Sequence, residues 1–419
     1  MTAMRRRLLA SLGALVAVMP LYSPSAQATR DSAGVQIVLN DRPSLPAAKA
    51  WRVAPAPLLS IGAGSPIAAG DSLYEFYLVY GMARLSDGRI VVGVQSTHTV
   101  RIFDAKGKFV GSFGRKGKGP GEFQQIMGVH HTRGDTLAIT DLGEIEWYSG
   151  QGKFVRPGAG RGRGANERFQ WPMAYLADGS YVSIDGNEPV IPPAGRRVRL
   201  SPLVVVRDDG AKLTQLARLP SGEEVFDGRN QWGQRVQYAP YGLVASDGER
   251  IYSGFGTTYR IDVRHADGTL LRSIRRAHTP TPVTEVHKRA WVAHVMKSPG
   301  EHAGVVSREA EEATKRVLAA QVYANTLPAF GSLLTDRSQH LWVQHYDPLI
   351  ALLTPGPARV QTIANPTRWD VFDRNGRWLT TVELPARFTP QEIGADYVLG
   401  VARNEDDEEG VRMYRLVKP

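Results

Sequence analysis

The sequence predicts an all-β fold, a six-bladed β-propeller, and three observations carry that prediction. A pattern of strand, Gly-containing turn, alternating strand, second Gly turn and final strand returns along the chain, most clearly from Met82 to Phe123. The pattern recurs at the size of one four-stranded blade, since Gly107 and Gly152, the ends of two successive second turns, stand 45 residues apart. The two ends of the chain each hold an incomplete unit, and together they make one whole unit.

The first turns read Ser86-Asp87-Gly88, Arg133-Gly134-Asp135, Ala177-Asp178-Gly179, Ser246-Asp247-Gly248 and Asp336-Arg337-Ser338. The second turns end at Gly107, Gly152, Gly210, Gly268 and Gly376. Glycine and Asp-Gly supply the positive φ of tight hairpins, so these are turns with a mechanism. The flanking runs, such as Arg89-Ile90-Val91-Val92 and His340-Leu341-Trp342-Val343, are β-branched and aromatic, as strands are. Five units follow directly. The sixth is assembled from Gln391–Val417, which offers about three strands, and from Trp51-Arg52-Val53 with Leu58–Ile61, which belong to no other unit. An N-terminal strand completing the last blade closes the ring and removes exposed sheet edges. A seventh blade would need residues that the chain lacks.

Two kinds of segment break the rhythm. Pro282–Asn325 has helical spacing, with Ala310, Ala313, Val317 and Leu318 on one face, Ser307 placed as N-cap, and Glu309, Glu311 and Glu312 in the first turn. It reads as a helical insertion, about residues 283–325, between blades four and five. Long Pro-containing stretches also interrupt blade three (Gly186–Leu200) and blade five (Asp347–Thr367).

The N-terminus carries Arg5-Arg6-Arg7, an apolar run from Leu8 to Met19, and Ala26-Gln27-Ala28. These are the parts of a secretory signal peptide over residues 1–28, leaving 29–419 as the propeller. The apolar run is too short for a permanent membrane anchor. The chain has no cysteine, hence no disulfide and no lipidated N-terminal Cys. A periplasmic or secreted monomer that does not span a membrane is expected. Removing the signal takes three of 51 basic residues and none of 41 acidic ones, so the net charge falls from +10 to +7. A basic balance can attract nucleic acid, but export argues against that partner and toward anionic envelope components or a merely solvated surface.

At Gly114–Phe123, GRKGKGPGEF, followed by an inner strand and its turn, the chain resembles NHL-type six-bladed propellers. It is similar, more closely, to exported six-bladed propeller proteins of bacteria, through Asp31–Val35, Thr326–Phe330, Tyr397–Val401 and Tyr414–Leu416. Blade two keeps a degenerate copy of the Gly-rich loop at Gly158–Phe169. The resemblance implies the fold. It leaves open ligand-binding modules, interaction platforms, and lyases or lactonases that use a central metal.

In a propeller the two Gly turns of every blade lie on one face, and the second-to-third-strand and inter-blade connections on the other. Both Gly-rich loops and both long interruptions therefore share a face, the expected working surface. On it the loops place Arg115, Lys116 and Lys118 beside Arg161 and Arg163. Glycine-freed N–H groups and these cations could hold a phosphate, sulfate or carboxylate, or the side chains could simply be solvated. Register places Asp141, Asp185 and His345 at the ends of second strands, at one mouth of the channel, with Val94 and Phe255 at equivalent positions. That triplet could ligate Ca²⁺ or Zn²⁺, or the aspartates could bond to loop backbone while His345 packs. His130-His131 ends an inner strand, and alternation sends the two rings opposite ways. His287, His294 and His302 show no metal-ligand spacing. Trp147, Trp232, Trp342 and Trp378 read most simply as blade packing, and Trp232 alone, in the irregular Asp227–Gln237 stretch, could instead stack on a sugar. There is no G-x-S-x-G, no H-E-x-x-H and no thiol, so no catalytic residue is assigned and no cofactor is required. The favoured expectation is a non-enzymatic module engaging a protein, peptide or anionic glycan through the loop-rich face. The alternative is a metal-dependent lyase or lactonase-like hydrolase at the channel mouth.

Overall fold

The computed structural model describes residues 27–32, 34–67, 70–160, 171–185, 191–207, 212–231, 233–297, 308–348 and 365–419. Their strands form six separate sheets, each a blade that begins with its innermost strand. Blade one holds Val79–Arg84, Ile90–Val94, Thr99–Phe103 and Phe109–Phe113. Blade two holds Ile126–His131, Thr136–Asp141, Glu144–Ser149 and Phe154–Gly160. Blade three has Ala174–Tyr175, Tyr181–Ile184, Gly195–Val206 and Lys212–Phe226, with Gln234–Arg235 added at the edge. Blade four has Leu243–Ser246, Arg250–Gly254, Arg260–His265 and Leu270–Arg276. Blade five has Leu333–Thr335, Leu341–Gln344, Thr367–Phe372 and Trp378–Leu384. Blade six has Phe388–Ile393, Tyr397–Arg403 and Glu409–Val417, and its outer strand is Arg52–Gly62.

The turns form for the reasons the sequence gives. Gly107 and Gly376 take φ of 85° and 78°, a conformation costly for any residue with a Cβ. Asp104 and Asp373 tie the same hairpins by each accepting two backbone N–H groups, from Lys106 and Lys108 and from Asn375 and Arg377. The core lies between blades. Ile90, Val92 and Val94 of blade one pack with Ile61, Leu399, Val401 and Val411 of blade six. Each such side chain contributes about 1.5–3 kcal/mol by leaving water.

Ring closure is as the sequence predicts. Arg52–Gly62 runs antiparallel to Glu409–Val417, from Val53 opposite Leu416 to Gly62 opposite Gly410. The preceding segment has no counterpart in the sequence reading. Val35–Asn40 adds in parallel to the outer strand of blade four, and Gln27–Ser32 folds back on it as the edge of a six-stranded sheet. The chain then crosses blade five, where Asn40 bonds Gly376 O and Trp378 N and where Ser44 and Leu45 donate to Trp378 and Leu379 carbonyls. Val35–Gly62 thus straps blades four, five and six. Parallel addition needs no hairpin turn, so no local signal marked it.

The insertion between blades four and five contains two helices, Glu285–Lys297 and Arg308–Ala319. Glu309 and Glu311 stand in the first turn of the second, and Ser307 lies outside the described residues. Its half-buried residues include Ala313, Thr314 and Leu318, whereas Val317 is 62% exposed. The packed stripe is therefore rotated slightly from the predicted one. A stem closes the insertion: Val283 N donates to Asn325 O and Leu327 N to Thr281 O. In blade three, the paired stretches Gly195–Pro202 and Arg218–Phe226 run on past the short second strand and rise over the loop face. The insertion leans on the far end of this raised hairpin, where Arg196 donates to Tyr323 O. Tyr238, Ala239, Ala324 and Leu327 are buried in the shared cluster that reaches Val225, and Tyr238 OH donates to His287 O.

Candidate functional site: a cleft between blades four and five

The predicted site residues separate in the structure. Asp141 ends a second strand as expected, but its buried carboxylate accepts the backbone N–H groups of Gln124 and Gln125 at the start of its own blade. Burial pushes its pKa up, against those two donors. Asp185 is half-buried, with its N–H bonded to Pro202 O. His345 donates from Nε2 to Asp370 Oδ1 at 2.9 Å, with the proton assigned there because an ionised carboxylate only accepts. Among the described residues, which include all three, no group of three or more His, Asp or Glu side chains is arranged to hold a metal. Shared register put these residues at one end of the ring, but Asp141 and His345 are engaged inside their own blades rather than turned together toward the axis.

The first Gly-rich loop carries its own anion. Glu122 Oε2 accepts the N–H groups of Lys118 and Gly119, and its Oε1 pairs with Arg115 at 2.7 Å. The Gly119 N–H and the Arg115 guanidinium hold the Glu122 pKa below the usual carboxylate range. Gly117 is required here, because a Cβ would fall 1.9 Å from Glu122 Oε2. Lys116 and Lys118 extend into solvent. Arg161 and Arg163 lie outside the described residues, as do most of the second loop, Trp232, His302 and the signal segment up to Ala26.

His130 and His131 diverge as alternation requires. His130 lies against the Tyr175 ring of blade three, centroids 4.8 Å apart. His131 bonds Asp135 through Nε2 at 3.0 Å and accepts from Arg337 at Nδ1, 2.8 Å away. Arg337 comes from the first turn of blade five, and blade two is the blade opposite. The guanidinium therefore crosses the channel at its turn-side mouth. There it also donates to Arg84 O of blade one at 2.6 Å and pairs with Glu392 of blade six at 3.0 Å.

The chemistry-bearing cluster on the loop face surrounds Asp370, in the third strand of blade five. Its side chain is fully buried and accepts four bonds. His345 and Thr381 reach Oδ1, at 2.9 and 2.7 Å, while the Tyr259 hydroxyl (2.8 Å) and Arg276 reach Oδ2. Burial would raise this carboxyl, but the bonds from His345, Arg276 and Thr381 outweigh it and hold the pKa below the ordinary value. The same carboxylate drives the Tyr259 hydroxyl well up, after burial itself. Arg276 sits over the rings of Trp378 and Tyr259, 4.1 and 5.2 Å from their centroids.

This cluster backs a cleft of about 260 Å³ at the foot of the helical insertion. Its walls are Tyr259, Arg276, Ala277, His278, Thr279, Thr281, Leu327, Pro328, Ala329, His345 and Tyr346. The sequence reading placed His345 but missed Asp370 and Arg276. A carboxylate between the buried Trp369 and Val371 was the available signal, since an ionised residue in the middle of a core strand demands partners. Arg276 arrives from another blade and had no sequence signal.

The fold and its blade count define the class: the chain is a six-bladed β-propeller. The family described as 6-bladed beta-propeller (DUF5128) matches residues 79–143, blade one and the first half of blade two. No curated protein matches the chain. Among solved structures, a member of the DUF4221 family from Bacteroides vulgatus is similar at 10% identity and TM-score 0.53, over 88% of this chain and 99% of that one. A Bacteroides fragilis protein with an exported-protein name is similar at 11% identity and TM-score 0.47, covering 91% and 99%. A Xanthomonas campestris gluconolactonase is similar at 14% identity and TM-score 0.41, covering 90% and 99%. At these identities the likeness concerns the fold.

Proposed function

We propose that this propeller is an exported binding module whose ligand seats on the loop-rich face, in the cleft between blades four and five. The observation that carries the reading is the convergence of the helical insertion, the raised hairpin of blade three and a charged cluster on that face. The insertion stem walls the cleft, the insertion leans on the raised hairpin of blade three, and a charged cluster lies at the cleft's base. Loops and insertions on a rigid ring carry function because the ring fixes their positions. The Arg5–Ala28 signal pattern supports export, and no described helix is long and apolar enough to cross a membrane. The metal-dependent alternative at the channel mouth would require Asp141, Asp185 and His345 to converge on one ion, whereas Asp141 and His345 each bond within their own blade. The binding reading requires no such convergence.

The test is a thermal-shift screen of the chain from Thr29 onward against peptides and sugars, with an Ala277→Trp variant in parallel. Ala277 is exposed on the cleft wall, so the indole would fill the cleft and leave the blades unchanged. Ligands that stabilise the parent and not the variant are expected. A panel without such a ligand, or ligands indifferent to Ala277→Trp, would refute the assignment.

A further inference from the structure

Resting on that reading, we infer that the cleft takes a small hydroxy-carboxylate of the sugar-acid class, its carboxylate on Arg276 and a hydroxyl on Nδ1 of His345. The donor and acceptor inventory leads there. Arg276 uses one arm on Asp370 and is held between two aromatic rings, yet its side chain keeps 23% of its exposure and lines the cleft. A guanidinium fixed in this way offers N–H groups in the planar fork that suits a carboxylate. The anion already beside it, Asp370, is fully buried with both oxygens hydrogen-bonded and does not line the cleft, so a ligand carboxylate would meet the N–H groups of Arg276 and not the Asp370 oxygens. No acidic side chain stands among the described residues lining the cleft, whereas His278 and His345 both do.

His345 supplies the second half of the recognition. Its Nε2 is committed to Asp370, so in the tautomer that carries its proton there Nδ1 is a lone pair, and the side chain is 28% exposed. A lone pair held in this orientation selects a ligand that donates, and a hydroxyl near a carboxylate is such a group. Leu327, Pro328 and Ala329 add apolar lining, and Tyr259 and Tyr346 supply aromatic surface of the kind on which sugar C–H faces rest. The volume lies below the roughly 300–1,000 Å³ of pockets that hold drug-sized molecules, which suits a single ring. The ring could be free or the end of an anionic glycan.

Calorimetric titration of the chain from Thr29 onward with D-glucuronate, D-glucose and acetate tests this, with cellobiouronic acid as the arm in which the same ring ends a chain. D-glucuronate should bind, glucose should not, and acetate should bind at least tenfold more weakly. Tighter binding of cellobiouronic acid than of glucuronate would assign the site to glycan ends, and the reverse to the free acid. His345→Gln keeps an N–H for Asp370 and replaces the fixed ring acceptor with an amide oxygen on a longer, flexible chain. It should weaken glucuronate at least tenfold with an unchanged melting temperature, and Ala277→Trp should abolish binding. Glucose binding as well as glucuronate, or a His345→Gln variant binding as the parent does, would overturn the inference. A peptide or neutral sugar that stabilises the parent but not Ala277→Trp, with glucuronate inert, would overturn it while leaving the binding-module reading in place.

Discussion

Acidification should destabilise this propeller through His130 in a way that can be calculated. The imidazole lies between blades two and three, against Tyr175 and directly over Gly128, where a Cβ would come within 2.8 Å of Nε2. Burial pushes its pKa from 6.5 down to about 4. The native ring therefore stays neutral between those values while the unfolded chain takes up a proton. Because the unfolded state binds more protons in that window, stability falls as pH falls through it. Each tenfold difference in proton affinity is worth about 1.4 kcal/mol, so the whole effect is about 3 kcal/mol, of which about 2 kcal/mol is lost between pH 7 and pH 5. Urea unfolding at those two pH values measures it, with His130→Phe as the control that keeps a ring and removes the titration. The parent should lose about 2 kcal/mol more than the variant over the interval. Equal losses in the two proteins would show that the His130 ring is not held neutral by its surroundings.

Beginning the chain at Gly64 removes the outer strand of blade six, including the buried Leu59 and Ile61, and should produce aggregation or a non-cooperative melt; a melt matching that of the longer chain would disprove the closure. Arg337→Ala cuts the tie between opposite blades and leaves Glu392 without its guanidinium, so a fall of several degrees in Tm is expected by calorimetry, against no change if the contact is idle. Glu122→Gln removes the internal anion of the first Gly-rich loop and should increase retention on a sulfated matrix, whereas Arg115→Gln should change it little; the opposite ranking would mean that Arg115 itself faces an external anion. Ca²⁺ or Zn²⁺ should leave Tm where it is, and a rise abolished by Asp141→Ala would restore the channel-mouth metal site.

The blades were legible because their signals are local. Asp104-Ala105-Lys106-Gly107 announces a hairpin by the φ that Gly107 must adopt and by the bonds that Asp104 can make, and neither depends on the rest of the molecule. Ring closure was legible by elimination, since Leu58–Ile61 is a strand that no neighbour can use. Side-chain function was less so. Register correctly sent Asp141 and His345 to the ends of their strands, yet register says nothing about whom a side chain bonds. Asp141 found two backbone donors a few residues from its own blade's first strand, and His345 found a carboxylate from the strand beside it. The Gly-rich loop had the right chemistry for an anion, but Glu122, inside the motif itself, was overlooked as the candidate occupant. Arg276 and Arg337 act across blade boundaries, at sequence separations of 94 and 206 from Asp370 and His131, where no short-range pattern can report them.

The strap formed by Val35–Gly62 sets the order in which the molecule can be completed. Its first strand docks on Leu270–Arg276 and its last on Glu409–Val417, so its pairings close loops as long as 365 residues, from Arg52 to Val417. The entropy of closing such loops has to be met before the contacts can compensate it, and contacts this distant in sequence slow folding. The strap must wait while the other blades form, and until it docks the third strand of blade six stays unpaired along one side. Two chains at that stage could exchange straps, each completing the other's ring with the same bonds, so high concentration during refolding should yield a closed, swapped dimer that separates only by unfolding.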